Sequence, residues 1–316
     1  MMKASIVIVT RNRAPQLRAT LESLRWVVVP EGLHCELLII DNGSDDETAN
    51  VVKEYRGPRI LARHVLEEKR GKSCGMNRAF GEARGVVVLS ADDDVRFPPD
   101  WIGRMIEPIA DGHADAVAGG VVLAQELVRP WMTPMHRSWL AETLWLNRGN
   151  PQSYVGANMA IARHVLDKVP KYDPQLGPGG LGYCDDVLFS AQLLRAGYRI
   201  ADRLDVSVEH HPDQTRLARS AWLDAAWSRG LSQAYVGHHW EHWRCRFGRL
   251  KLGRAMMALK LLRMLNPQNS GADGCDENEM RLVFELATVA GHLNESKRTR
   301  MYEKNGLLQS RACTDD

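Results

Sequence analysis

Three short runs near the start of the chain are mostly apolar, Ser5 to Thr10 (SIVIVT), Glu36 to Ile40 (ELLII) and Val86 to Ser90 (VVVLS), and a further strand is expected near Ile60 to Leu66. Between them the apolar positions fall at helical spacing. Pro15 sits where a first helical turn accepts proline and is followed by Leu17, Leu21 and Leu24. Ser44 and Glu47 have capping-box spacing for a helix running towards Tyr55. A third helix is expected from about Lys72 to Arg84, and Pro98-Pro99-Asp100 opens a fourth before a strand from Asp115 to Leu123. Strands that are apolar throughout and alternate with helices predict an α/β fold whose mostly parallel central sheet is covered on both faces. Ligands of such sheets bind beyond the carboxyl ends of the strands. The polar clusters Thr10 to Arg13, Asp41 to Ser44 and Asp92 to Asp94 each follow a strand end. They are therefore expected to open onto one crevice.

The pattern loosens after Leu123. Arg129 to Asn150 carries Trp131, Trp139 and Trp145, and Tyr154 to Ala162 resumes a strand-like run. Tyr172 to Cys184 is a glycine-rich loop leading into Asp185-Asp186 and a helix to about Ala196. Short strands near Arg199 and Val206 end at Glu209-His210-His211, and Leu217 to Tyr235 reads as a helix. From Arg244 to Arg263 the chain holds seven cations and no acid, mixed with leucines and methionines. A basic amphipathic helix of this kind lies on anionic lipid or docks on a partner, or packs on its own core with a solvated basic rim. A last helix is expected from Glu277 to Leu293.

Composition narrows the classes. The 316 residues are 44% hydrophobic and 25% charged with a formal charge of +2, which suits a globular protein and argues against nucleic acid as the main partner. Cys35, Cys74, Cys184, Cys245, Cys275 and Cys313 form no CxxC pair, so reduced thiols are expected rather than a zinc site or a disulfide framework. No stretch approaches the roughly 20 apolar residues of a spanning helix. The apolar run from Ala4 to Val9 is too short for a secretory signal. The expectation is a soluble, cytoplasmic protein, at most peripheral at the inner face of a membrane.

Asp92 and Asp94 are two apart where the chain leaves a strand, so their carboxylates point the same way and can share one hard divalent cation such as Mg2+ or Mn2+. Alternatively the acids merely precede the next helix, favoured by its dipole. Asp41 can accept hydrogen bonds from a base or ribose, with Gly43 allowing the turn beside it, and Thr10, Arg11, Asn12, Arg13 and Lys72 can donate to a phosphorylated ligand.

The segments IVIVTRNR, LLIIDNGSDD, KRGKSCGMNRA, VVVLSADDDVRFPPDWI, YVGANMAIAR, YDPQLGPGGLGYCDDVLFSAQLLRAGYRI and VSVEHH, in that order over roughly residues 4 to 211, resemble the family 2 inverting glycosyltransferases. The resemblance implies the Rossmann-like glycosyltransferase A fold and metal-dependent transfer of a sugar from a nucleoside-diphosphate sugar, a UDP-sugar by analogy. The acceptor would be a saccharide or a lipid-linked hydroxyl. It implies Asp94 and His210 as metal ligands, with His211 the second choice for the histidine, and Asp92 and Asp93 in the donor site with Thr10, Arg11, Asn12, Arg13, Asp41, Gly43, Lys72 and Asn77. Asp186 would be the catalytic base, with Asp185, Gly156 and Asn158 shaping the acceptor or sugar pocket. Trp139 and Trp145 suit an acceptor platform, because aromatic faces pack against sugar rings or lipid chains, or else pack in the core. The loop Gly177 to Gly182 would close over bound donor. A catalytic domain of residues 1–236 is expected, with a nucleotide-sugar half (1–123) and an acceptor half (124–236), followed by a helical, basic extension over 237–316. Two features depart from the family pattern: Cys184-Asp185 replaces the usual Gly-Glu, and Leu188 replaces an acid. The same residues also fit a phosphoryl-transfer enzyme using the acidic cluster, or an inactive sugar-nucleotide-binding module.

Overall fold

A computed structural model describes residues 2–143, 146, 148, 151–267 and 273–309. The chain forms two compact units, each assembled from separate stretches of sequence. The first comprises Met1–Val128, Arg137–Pro174 and Asp185–His211, and the second comprises Arg129–His136, Gln175–Cys184 and Pro212–Asp316.

In the first unit, β1 (Met2–Thr10), α1 (Ala14–Leu24), β2 (Leu33–Asp41), α2 (Thr48–Glu54), β3 (Leu61–Leu66), α3 (Lys72–Glu82), β4 (Val87–Ala91), β5 (Val95–Arg96), α4 (Trp101–Ala110) and β6 (Ala116–Leu123) follow in order. After α5 (Pro134–Trp139) come β7 (Asn158–Ala162), α6 (Asp185–Arg195) and β8 (Ile200–His210). The eight strands form one sheet in the order β3-β2-β1-β4-β7-β6-β8-β5. Successive residues of the early strands feed opposite cores. Ile6, Ile8, Leu37 and Ile39 pack with Leu17, Leu21 and Trp101, whereas Val7, Leu38 and Ile40 pack with Met76, Phe80 and Phe189. Burial on both faces is why these strands read as apolar throughout.

β3, β2, β1 and β4 are parallel, but β7 runs antiparallel to both β4 and β6, and β5 is antiparallel to β8. The sheet is therefore mixed rather than mostly parallel in its second half. The two strands expected near Arg199 and Val206 are one strand, with a register shift opposite Gly119 and Gly120. Strand order reverses between β1 and β4, so the loops after Thr10 and Ala91 flank the switch point where such sheets bind ligands. The capping box expected at Ser44 and Glu47 does not form. Ser44 Oγ instead accepts from the Asn12 amide, and α2 begins at Thr48, whose amide and hydroxyl are held by Asp46.

The second unit is helical, with α7 (Arg219–His239), α8 (Gly248–Leu265) and α9 (Glu277–Glu295). The boundary expected after residue 236 falls inside α7. α9 packs on both α7 and α8. A side chain at Gly230 would meet the Phe284 carbonyl oxygen at 2.5 Å, so α7 and α9 cross at backbone contact. Among the described residues no helix is long and apolar enough to cross a membrane.

Candidate active site

Leaving β4, the three consecutive acids divide their work. Asp93 turns inward, where it accepts from Thr10 Oγ1 at 2.7 Å and lies 3.2 Å from Arg13 Nε, while its carbonyl accepts from Thr20 Oγ1. Burial pushes its carboxyl up to about 6, with Arg13 opposing. Asp94 is also buried, but it faces charge: Arg13 Nη2 donates to Oδ2 at 2.5 Å, and His210 Nε2 stands 3.3 Å from Oδ1. Burial alone would raise the Asp94 carboxyl; His210 and Arg13 outweigh it and hold the group well below the usual carboxylate range.

The sheet brings His210 to Asp94. Val95 of β5 pairs with His210 of β8, and the His211 amide donates to the Asp94 carbonyl at 2.8 Å. His210 Nδ1 faces the Leu140 carbonyl at 2.8 Å, which assigns the hydrogen to Nδ1 and turns Nε2 to the acids. Ligand atoms of Asp92, Asp94 and His210 lie within 4.8 Å of one another. Two carboxylates and an imidazole oriented by a carbonyl make a donor set that fits a divalent cation such as Mn2+. His211 instead pairs with Glu209 and Glu126, so the histidine of this cluster is His210.

Lys72, the first residue of α3, pairs closely with Asp92. Burial would lower the ammonium, but Asp92, then Asp185 and Asp186, raise it above its ordinary value. Those last two acids open α6. Asp186 accepts from the Gly156 amide at 3.1 Å and the Val187 amide at 2.8 Å. Burial raises both carboxyls; for Asp185 the Asp186 charge adds to the rise, and for both Lys72 opposes it. A methyl group at Gly156 would stand 3.6 Å from Lys72 Nζ and 4.0 Å from Asp186 Oδ2. Glycine thus keeps a space open between the ammonium and the carboxylate.

Several expected site residues have other commitments. The hydroxyl of Thr10 and the carboxylate of Asp93 hold each other, and the Arg13 guanidinium is spent on Asp93 and Asp94, so these three shape the acidic loop rather than offer free contacts. Asp41 accepts from the Ser44 amide and pairs with His64 at 2.9 Å. Gly43 takes φ of 72°, the left-handed conformation that this turn demands. Asn12 donates its amide to Ser44 and accepts from the Asp45 amide, while Arg11 Nε is buried with no hydrogen-bond partner among the described residues. Asn77 is tied to the backbone of Tyr172 at both ends of its amide. Asn158 does not line a pocket: it is fully buried and bonds Trp101 Nε1 and the carbonyls of Gly120 and Val206. Trp139 ends α5 half-buried, Trp131 packs edge-on against Trp222 and His136, and Trp145 lies outside the described residues. The glycine loop expected to act as a lid is closed by its own backbone bonds, Gly177 to Tyr183 and Leu181 to Gln175, and is pinned to Ser232 of α7.

Two residues escaped the sequence reading. Asn42 donates to the carbonyls of Glu67 and Lys69 and accepts from the Gly71 amide, and so fixes the approach to Lys72. His64 orients Asp41. A polar residue just past a buried strand was the available signal for Asn42; His64 in mid-strand gave none.

Cys184 adopts φ of 68° just before the paired acids. This is where the family resemblance leads one to expect glycine, and the left-handed conformation explains why. A side chain there costs on the order of 1 kcal/mol. Cys184→Gly is expected to leave the site intact and raise the melting temperature slightly; an unchanged or lower value in a thermal melt would show that the cysteine is not strained.

Comparisons with known proteins bear on the family and the fold. Residues 5–169 match the profile described as Glycosyl transferase family 2. The succinoglycan biosynthesis protein ExoA of Rhizobium meliloti is 26% identical over 241 residues, covering 74% of this chain and 70% of the relative. The dolichol-phosphate mannosyltransferase of Pyrococcus furiosus is 27% identical over 141 residues, covering 45% of this chain and 39% of the relative. Among solved structures, the mannosyltransferase PcManGT of Pyrobaculum calidifontis, in complex with GDP-Man and Mn2+, superposes with a TM-score of 0.55 at 18% identity, covering 93% of this chain and 74% of that one. Residues 1-349 of TarS from S. aureus, in complex with UDP, superpose with a TM-score of 0.52 at 17% identity, covering 96% and 93%. The mixed eight-stranded sheet with its flanking helices is the glycosyltransferase A fold expected from the resemblance. With the profile spanning more than half of its residues, this chain belongs to glycosyl transferase family 2 and is a glycosyltransferase.

Proposed function

We propose that the enzyme transfers a sugar, with inversion and with the help of a divalent cation, from a nucleoside-diphosphate sugar to an acceptor hydroxyl in polysaccharide or glycoconjugate synthesis. The observation that carries this reading is the row of charged groups from His210 and Asp94 to Asp92 and its partner Lys72, and then across the space kept by Gly156 to Asp186. An inverting displacement needs a base on the side of the incoming hydroxyl and positive charge on the side of the departing diphosphate. Asp186 supplies the base: its carboxylate, held by two backbone amides, takes the proton of the acceptor hydroxyl as the new bond forms. Lys72 neutralises negative charge between the two sides, and Gly156 leaves room for the reacting carbon. Asp92, Asp94 and His210 would hold the cation, which when bound acts as a Lewis acid on the diphosphate. Arg13 leaves one oxygen of Asp94 available for this. Arg11, with its unpaired buried Nε, is the candidate phosphate contact of the first loop.

The donor is expected to be a uridine nucleotide, by the family resemblance and the UDP complex of TarS. The GDP-Man complex of PcManGT makes guanosine the second class to assay. The acceptor is a saccharide or a lipid-linked alcohol. A thermal-shift and hydrolysis screen of UDP- and GDP-sugars, run with Mn2+ and again in EDTA, tests the reading. One donor is expected to raise the melting temperature only in Mn2+. Equal stabilisation in EDTA would remove the cation from the mechanism, and release of phosphate without sugar transfer would replace the reaction class.

A further inference from the structure

Helix α8 has two apolar faces, and among the described residues its packing uses one. Gly248, Ala255 and Leu259 are buried and Leu252 and Leu262 half-buried, the side that rests on α9. At about 100° per residue these five lie on one side of the helix. The opposite side presents Leu250, Met257, Leu261 and Met264, exposed at 64%, 67%, 56% and 71%. Their spacings of seven, four and three residues make a second continuous stripe. Exposed Arg249 and Lys260 border it on one edge and exposed Arg254 on the other, and no acid occurs between Arg244 and Arg263.

An own-core explanation accounts for the first stripe and leaves the second wet. The occupant must offer hydrocarbon along the axis and negative charge along both edges. Nucleic acid would satisfy the cations and not the leucines and methionines, and a second copy of the helix would bring like charges together. We propose that α8 lies on an anionic lipid bilayer, with the Leu250 to Met264 stripe inserted at the acyl boundary and Arg249, Arg254 and Lys260 among the headgroups. This inference goes beyond the transfer reaction and stands independently of it.

The test is co-sedimentation of the full chain with phosphatidylcholine vesicles containing 0 or about 30% phosphatidylglycerol. Binding is expected only to the anionic vesicles and should weaken as salt is raised. At about 1 kcal/mol per cation near the surface, Arg249→Gln/Arg254→Gln/Lys260→Gln should weaken partitioning about 100-fold. Met257→Glu/Leu261→Glu should also abolish it, with unchanged circular dichroism because all five positions are exposed. Absence of binding, equal binding to neutral vesicles, or a lipid-free dimer lost in these same variants would overturn the proposal.

Discussion

Asp186→Asn is expected to lower kcat for sugar transfer by about 100- to 10,000-fold, the usual contribution of a positioned general base. The amide cannot take a proton, yet it keeps the size of the carboxylate, and its one oxygen can still accept from one of the two amides, Gly156 or Val187. The Mn2+-dependent thermal shift with donor should survive. Loss of turnover with retained donor binding separates a base from a residue that only caps α6. Wild-type kinetics carry a second signature. Asp185 and Asp186 are both pushed up by burial; the Asp186 charge adds to the rise of Asp185, and the Asp92 charge adds to that of Asp186. A base must be ionised, so activity should fall as pH drops through the raised values, with an acid limb above the ordinary aspartate range. Burial leads the Asp186 rise, so Asp185→Asn should leave that limb in place. A limb that disappears in Asp185→Asn would mean that it belongs to Asp185 rather than to the base assigned here.

The early strands were legible because each is buried on both faces, so Ile6 through Val9 and Leu37 through Ile40 leave a run with no polar interruption. The direction of β7 was not legible. A strand such as Asn158–Ala162 reads the same whether its partners run parallel or antiparallel, and only the pairing of Ala91 with Asn158 decides. The acids of the site could be picked out because carboxylates after a buried strand are costly unless used. What each is used for depended on partners distant in sequence. Asp93 is claimed by Thr10 and Arg13, while Asp94 is claimed by His210 across more than a hundred residues. Asn158 was expected at a pocket floor because an amide two residues after Gly156 suits one, whereas here it saturates two carbonyls and a tryptophan indole nitrogen.

Asp94→Ala should carry the largest combined cost, because the residue holds the fold and the cation at once. Its carboxylate is 3% exposed and lies against a guanidinium and an imidazole. Removing one member of a buried charged group typically costs about 3–5 kcal/mol, since the partners are left uncompensated. The melting temperature should accordingly fall by on the order of 10 °C. Asp94→Asn, of equal size, is the variant that keeps the test clean should the alanine chain not fold. It should remain folded, lose the Mn2+-dependent shift, and lose transfer activity with it. Acid unfolding in EDTA isolates the electrostatic part. The folded-state value of Asp94 is depressed, so its contribution is fully present above the ordinary carboxylate range and disappears as pH falls through that depressed value. The asparagine variant should show a flatter loss of stability over that acid window. Should Asp94→Asn instead bind Mn2+ and donor as wild type does, the cation would have to sit elsewhere, and the assignment of Asp92, Asp94 and His210 as its ligands would fail.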